Sequence, residues 1–197
     1  MASDSSGNGH YGTLKGNPIW LPTGGQIDGA LRFREWGDYV DCGTFDPSQT
    51  TGQFTVSLWA KWDGQNGTFQ GLAGKNNGYL EDGEMWVLLL YGSGQLVFGS
   101  PSARCITNWV LPIGKWTHIA ATFDGNTVVL FVDAETWSFP NFSLGSATDA
   151  LLLFGDCSKP RGPFNGALDD VRLYDRALSE DKVRELAGLE SVLNPPR

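Results

Sequence analysis

Trp116-Thr-His-Ile-Ala-Ala-Thr-Phe-Asp-Gly-Asn-Thr-Val-Val-Leu-Phe-Val-Asp133 is the stretch on which the fold turns. Apolar and small residues alternate with polar ones up to Phe123, Asp124-Gly125-Asn126 interrupts, and a β-branched run resumes at Thr127. Alternation with period two sends successive side chains to opposite faces, and Asp-Gly-Asn between two such runs predicts a tight hairpin. Upstream, Phe54 to Trp62 repeats the pattern, with Phe54, Val56, Leu58, Ala60 and Trp62 on one face and Thr55, Ser57, Trp59 and Lys61 on the other. This reads as a half-buried strand.

Shorter runs of the same kind occupy 29–33, 38–42, 69–74, 84–91, 95–99, 150–154 and 164–174, separated by turn signals such as Trp62-Asp-Gly64, Tyr91-Gly-Ser-Gly94 and Pro112-Ile-Gly114. Many short strands at this spacing predict an all-β chain folded as a two-sheet antiparallel sandwich or jelly roll. One helix is expected near the C-terminus, with Ser179 as N-cap, Leu178 and Val183 as a hydrophobic staple, and Gly188 past the end. No repeat or internal boundary appears, so Asp4 to Leu189 reads as one domain, residues 1–3 as an added start and residues 190–197 as a linker.

Composition agrees. The chain has 197 residues with 26 Gly and 10 Pro, or 36 turn-prone residues, about 18%. Hydrophobic residues make up 41% and charged ones 18%, proportions of a packed domain and the reverse of a disordered one. A net charge of −8 with no basic cluster argues against nucleic acid. No purely apolar run approaches the roughly 20 residues of a membrane span. The three cysteines, Cys42, Cys105 and Cys157, lack CxxC spacing, which speaks against zinc. They read as small buried residues, with a Cys105–Cys157 bridge as the alternative.

Several segments taken in order carry a resemblance: Asp4-Ser-Ser-Gly-Asn-Gly9 with Gly12-Thr-Leu14, Gly29-Ala-Leu-Arg-Phe33 with Asp38-Tyr-Val40, Phe54-Thr-Val-Ser-Leu-Trp59, Trp116 to Gly125, and above all Gly166-Ala-Leu-Asp-Asp-Val-Arg-Leu-Tyr-Asp-Arg-Ala-Leu-Ser179. Together they resemble the laminin G-like domains of the concanavalin A-like lectin/glucanase superfamily. The resemblance implies a jelly roll of two curved sheets with the first strand beside the last. It also implies an accessory module of an extracellular or cell-surface protein, attached to other domains of the same polypeptide. Asp133-Ala134 departs from the Asp-Gly usual at that hairpin tip.

Oxygen donors at Asp4, Asn8, Asp169 and Asp170 are of the hard type that calcium selects. If the terminal strands are neighbours, the resemblance brings the Asp4–Asn8 loop to Asp169–Asp170, where a structural Ca²⁺ would link the chain ends. Asp170 is the favoured ligand of that pair, because consecutive residues of a strand point to opposite faces.

For function, the eight tryptophans matter most. Sugar rings stack their C–H faces on indole, and their hydroxyls need amide, carboxylate or guanidinium partners. Trp20, Trp59 and Trp116 read as packing, whereas Trp62, Trp86, Trp109 and Trp137 are less easily absorbed into a core. Asn76 and Asn77, in Lys75-Asn-Asn-Gly-Tyr79, and Arg104 with Asn108 supply polar partners. The expected site is therefore Trp62, Asn76, Asn77, Trp86, Arg104 and Trp109, binding a poly- or oligosaccharide.

A catalytic reading is weaker. Superfamily glucanases carry Glu-x-Asp-x-x-Glu or Glu-x-Asp-x-Glu, which the local acidic cluster Glu81-Asp82-Gly83-Glu84 does not match. No Ser-His-Asp set, HExxH or phosphate loop is present. The sequence points to a non-catalytic lectin-like module, with a protein-adhesion module as the alternative and a glycan hydrolase or lyase behind both.

Overall fold

The computed structural model describes residues 1–67, 69–77, 83–133, 135–157 and 162–189. Within these, fourteen strands form two sheets of seven. In chain order the strands are β1 (Thr13–Lys15), β2 (Ile19–Leu21), β3 (Ala30–Phe33), β4 (Tyr39–Asp41), β5 (Phe54–Trp62), β6 (Phe69–Asn76) and β7 (Glu84–Tyr91). Then come β8 (Gln95–Gly99), β9 (Arg104–Val110), β10 (Trp116–Phe123), β11 (Val128–Val132), β12 (Glu135–Phe139), β13 (Leu152–Phe154), β14 (Gly166–Tyr174) and the helix α1 (Glu180–Leu186). The first sheet runs β1-β4-β13-β6-β7-β8-β9 and the second β12-β11-β10-β5-β14-β3-β2, with every strand pair antiparallel. This is the jelly-roll sandwich that the alternation predicts.

The deciding hairpin forms as expected. β10 pairs with β11 around Gly125, whose φ of 101° only glycine adopts without strain, and the Asp124 carboxylate accepts from the amides of Asn126 and Thr127 at 2.9 and 2.7 Å. At the other tip Asp133 itself takes a φ of 48°. Four strands lie outside the runs read from the sequence: β1, β2 and β12 are short or exposed, and β9 alternates too polar a set of residues.

The main core lies between the sheets, where Phe33, Phe54, Leu58, Leu72, Trp86, Leu90, Phe98 and Phe164 are fully buried. Both faces of β5 are buried, not one. On its outer side the second sheet carries a smaller cluster of Ala120, Phe131, Leu178 and Val183, which seats α1. Ser179 caps that helix by accepting from the Lys182 amide at 3.4 Å, and Gly188 follows its end. The first sheet's outer side carries Val87, Leu89, Val97 and Cys157, against which Phe69 and Tyr91 pack.

The cysteine alternative fails on this geometry. Cys105 faces the main core and Cys157 the outer cluster, so the sheet itself stands between them, and all three thiols are free. Burial pushes the Cys105 thiol up to about 11. Ala2 is tied to Gly12 by reciprocal backbone hydrogen bonds of 2.7 and 3.0 Å, so the first residues join the fold. The tail at 190–197 lies outside the described residues, among which no helix is long and apolar enough to cross a membrane.

Candidate functional site

Two of the expected tryptophan platforms belong to the core. Trp86 is fully buried and stacks between Phe54 and Phe98, with centroids 4.9 and 6.0 Å away, so no face is left for a sugar ring. The run Met85 to Leu90 is apolar throughout and gives no sign of which residues point inward. Trp62 is also buried, and its Nε1–H donates to Gln70 Oε1 at 3.1 Å. Trp109 is half-buried against the core near the far end of β9. Trp137, also half-buried, donates from Nε1 to Asn108 Oδ1 at 3.0 Å, which ties the outer edges of the two sheets together at β9 and β12.

The polar members of the expected site, Asn76, Asn77 and Arg104, lie at one end of the first sheet. At one end of the first sheet β6 finishes at Asn76, β7 begins at Glu84 and β9 begins at Arg104. Arg104 lies across Gly99, where any Cβ would collide with its side chain, and pairs with Glu84: Nη1 to Oε1 at 3.0 Å and Nη2 to Oε2 at 3.4 Å. The guanidinium also donates to the carbonyls of Ser100 and Ala103. Burial raises the Glu84 carboxyl above its usual pKa, and the Arg104 charge acts against that rise. Asn77 is exposed and spends its Oδ1 on the Leu151 amide at 2.9 Å, while Asn76 is buried. The arrangement offers a half-exposed guanidinium held by a buried carboxylate at one end of the first sheet. Glu81 and Asp82, the other members of the acidic cluster, lie outside the described residues.

The calcium donors do not converge. β14 pairs with β3, the first strand legible in the sequence, but the Asp4–Asn8 loop leads into β1 at the edge of the other sheet. Asp4 accepts from the amides of Ser6 and His10, and hydrogen bonds from the Ser6 side chain and these amides hold its pKa down to about 2. Asp169 is committed to anchoring a loop: Oδ2 accepts from the Gln26 and Ile27 amides at 2.8 and 2.9 Å, and Oδ1 from the Asp170 amide. Asp170 sits at a bulge with φ of 46° and pairs with Arg172 Nε at 2.8 Å. Among the described residues no three His, Cys, Asp or Glu side chains form a group that could hold a metal. These residues do not fit a shared ion.

Two exposed tryptophans escaped the sequence reading. Trp20 is 61% exposed on β2, although its place after Pro18 suggested packing, and Trp36 is 69% exposed. Trp36 tops the turn Arg34-Glu-Trp-Gly-Asp38, which the buried Asp38 carboxylate pins by accepting from the amides of Asn17, Arg34 and Glu35 at 2.7 to 3.1 Å. A Trp between charged residues and a glycine, outside any periodic run, was the available signal.

Comparison with known proteins agrees with the architecture. A family model described as the concanavalin A-like lectin/glucanases superfamily, of laminin G type, matches residues 34–184. Pentraxin-related protein PTX3 of Bos taurus is 25% identical over 189 residues, covering 87% of this chain and 48% of that protein, so the chain spans about half the length of this curated relative. Domain 4 of AbnA, an extracellular arabinanase of Geobacillus stearothermophilus solved with arabinotriose, superposes with a TM-score of 0.73 at 25% identity, covering 94% of this chain and 92% of that one. The binding domain of Paraclostridial mosquitocidal protein 1 superposes at 0.72 with 19% identity, over 93% of this chain and 48% of that one. With more than half its length matched and the sandwich in place, the chain belongs to the concanavalin A-like lectin/glucanases superfamily.

Proposed function

We propose that this chain is a non-catalytic carbohydrate-binding module of a larger secreted or cell-surface protein, and that it holds oligosaccharide at the sheet end bearing Asn77, Glu84 and Arg104. The observation that carries the reading is the Arg104 guanidinium, 39% exposed and held at the end of the first sheet by an ion pair of 3.0 Å to the buried Glu84. Sugar hydroxyls accept as well as donate, so the exposed side of the guanidinium can donate to them while Glu84 holds it in place. The likeness to a domain solved with arabinotriose, spanning nearly all of both chains, supports the ligand class. Glu84 faces a guanidinium, where a retaining glycosidase would set a second carboxylate about 5 Å away.

Calorimetric titration with arabinotriose and a panel of plant, algal and bacterial oligosaccharides tests the proposal. The expected result is binding that Arg104→Ala weakens about 10-fold or more, since a hydrogen bond to a charged group contributes about 1.5–3 kcal/mol. Absence of binding across the panel, or equal affinity in the variant, overturns it. Neither the protein nor Glu84→Gln should release reducing ends from these substrates.

A second reading, adhesion to a protein, draws on the exposed Trp20, Ile27 and Trp36. It predicts a protein partner whose affinity falls on Trp36→Ala while Arg104→Ala is silent.

A further inference from the structure

A second polar site lies on the outer face of the other sheet. In the register of β5, β14 and β3, Lys61 is opposite Ala167 and Ala167 is opposite Arg32, so two long cations flank one methyl group about 10 Å apart. The gap is a cleft of about 70 Å³ lined by Leu21, Gly24, Arg32, Lys61, Asp63 and Ala167. Gly24 folds its loop tightly onto Leu21, where a Cβ would come within 2.9 Å of the leucine Cβ, and this closes one wall.

The polar groups of the cleft are unevenly satisfied. Arg32 Nη2 donates to Asp63 Oδ2 at 2.6 Å, but Arg32 Nε is buried and meets no acceptor. A buried N–H left without a partner is costly, so the position calls for an oxygen. Among the described residues the Lys61 ammonium has no hydrogen-bond or ion-pair partner either. Two cations against the single Asp63 carboxylate leave the cleft at +1 in a chain of −8. Its volume takes a carboxylate with a water and excludes a sugar ring.

We infer that this cleft binds one carboxylate group, received by the Arg32 guanidinium and Lys61, with Asp63 holding the guanidinium in place. The group can be that of a small organic acid or of an acidic sugar whose ring stays outside. This inference is independent of the Arg104–Glu84 site, which lies on the other sheet.

The test is an NMR titration that follows the Arg32 Nε–H and the Ala167 amide with glucuronate, acetate and glucose. Both acids should shift the two resonances with Kd of about 1–10 mM, and glucose should not. Tighter binding of glucuronate than acetate identifies an acidic sugar as the ligand; equal binding identifies the carboxylate alone. Lys61→Gln, at a half-exposed position, should weaken both acids about 5- to 10-fold, and Arg104→Ala should leave their binding unchanged. Resonances that ignore both acids, or that respond equally to glucose, overturn the inference.

Discussion

His118 shows how burial between neighbouring strands sets the chemistry of a single side chain. It sits in a strand of alternating residues, yet both faces of that strand are covered, and the ring is buried with Nε2 2.8 Å from Ser57 Oγ and its edge against Trp59 at 5.3 Å. Arg172, on the same outer face of the sheet, and Asp133, which accepts from the His118 backbone amide at 3.0 Å, are charged groups around it. Desolvation, with a smaller contribution from Arg172, lowers the imidazole to about 4 from an ordinary 6.5. The native state therefore prefers the neutral ring. Its contribution is complete above pH 6.5 and is lost as pH falls through 6.5 towards 4, while the unfolded chain takes up a proton first. That window should cost about 3 kcal/mol of stability. Urea unfolding at pH 7 and pH 4 should show the loss in the natural protein and a smaller one in His118→Gln. The same reasoning explains why the tryptophans misled: residue type announces a large amphipathic ring, but only the register across the sheet decides whether Trp86 meets Phe98 or water.

At the scale of elements, legibility followed contrast. β5, β10 and β11 stand out because β-branched and aromatic residues alternate with polar ones and a demanding turn joins the last two. The helix was legible because its cap, staple and terminal glycine all lie within eleven consecutive residues. β1 and β2 are three residues each, too short to establish a period, and β9 hides because Arg104, Ile106, Asn108 and Val110 face solvent while Cys105 and Thr107 turn inward. Arg104 was singled out in the sequence, but its strand was not. The helix is also an independent handle on stability. Val183 packs α1 onto Ala120 and Phe131 on the outside of the second sheet. Val183→Ala should cost about 2 kcal/mol of stability in urea unfolding, from two methyl groups withdrawn from contact. Its effect on oligosaccharide affinity should be nil, because the proposed site belongs to the first sheet.

For the whole molecule, the arrangement of the chain ends bears on the metal question. The resemblance suggested that terminal segments meet and share an ion; in the fold the Asp4 loop borders one sheet while Asp169 spends its oxygens on loop amides of the other. Ligand types were visible in the sequence, but their separation depends on which sheet each segment joins, a long-range property that no local spacing encodes. A ligand that binds only the native state must raise stability. Equal melting temperatures in EDTA and in millimolar calcium are the expected outcome, and a calcium-dependent rise would restore a shared site.

The three free thiols, held apart by a sheet and by distance in the fold, bear on how the molecule comes into being. A chain with no cross-link to form has the same covalent structure in glutathione-rich and in oxidising surroundings. Burial also keeps these sulfurs in the poorly nucleophilic thiol form, with the Cys42 thiol raised to about 11 and Cys157 well above its ordinary value. The mature fold is thus redox-neutral.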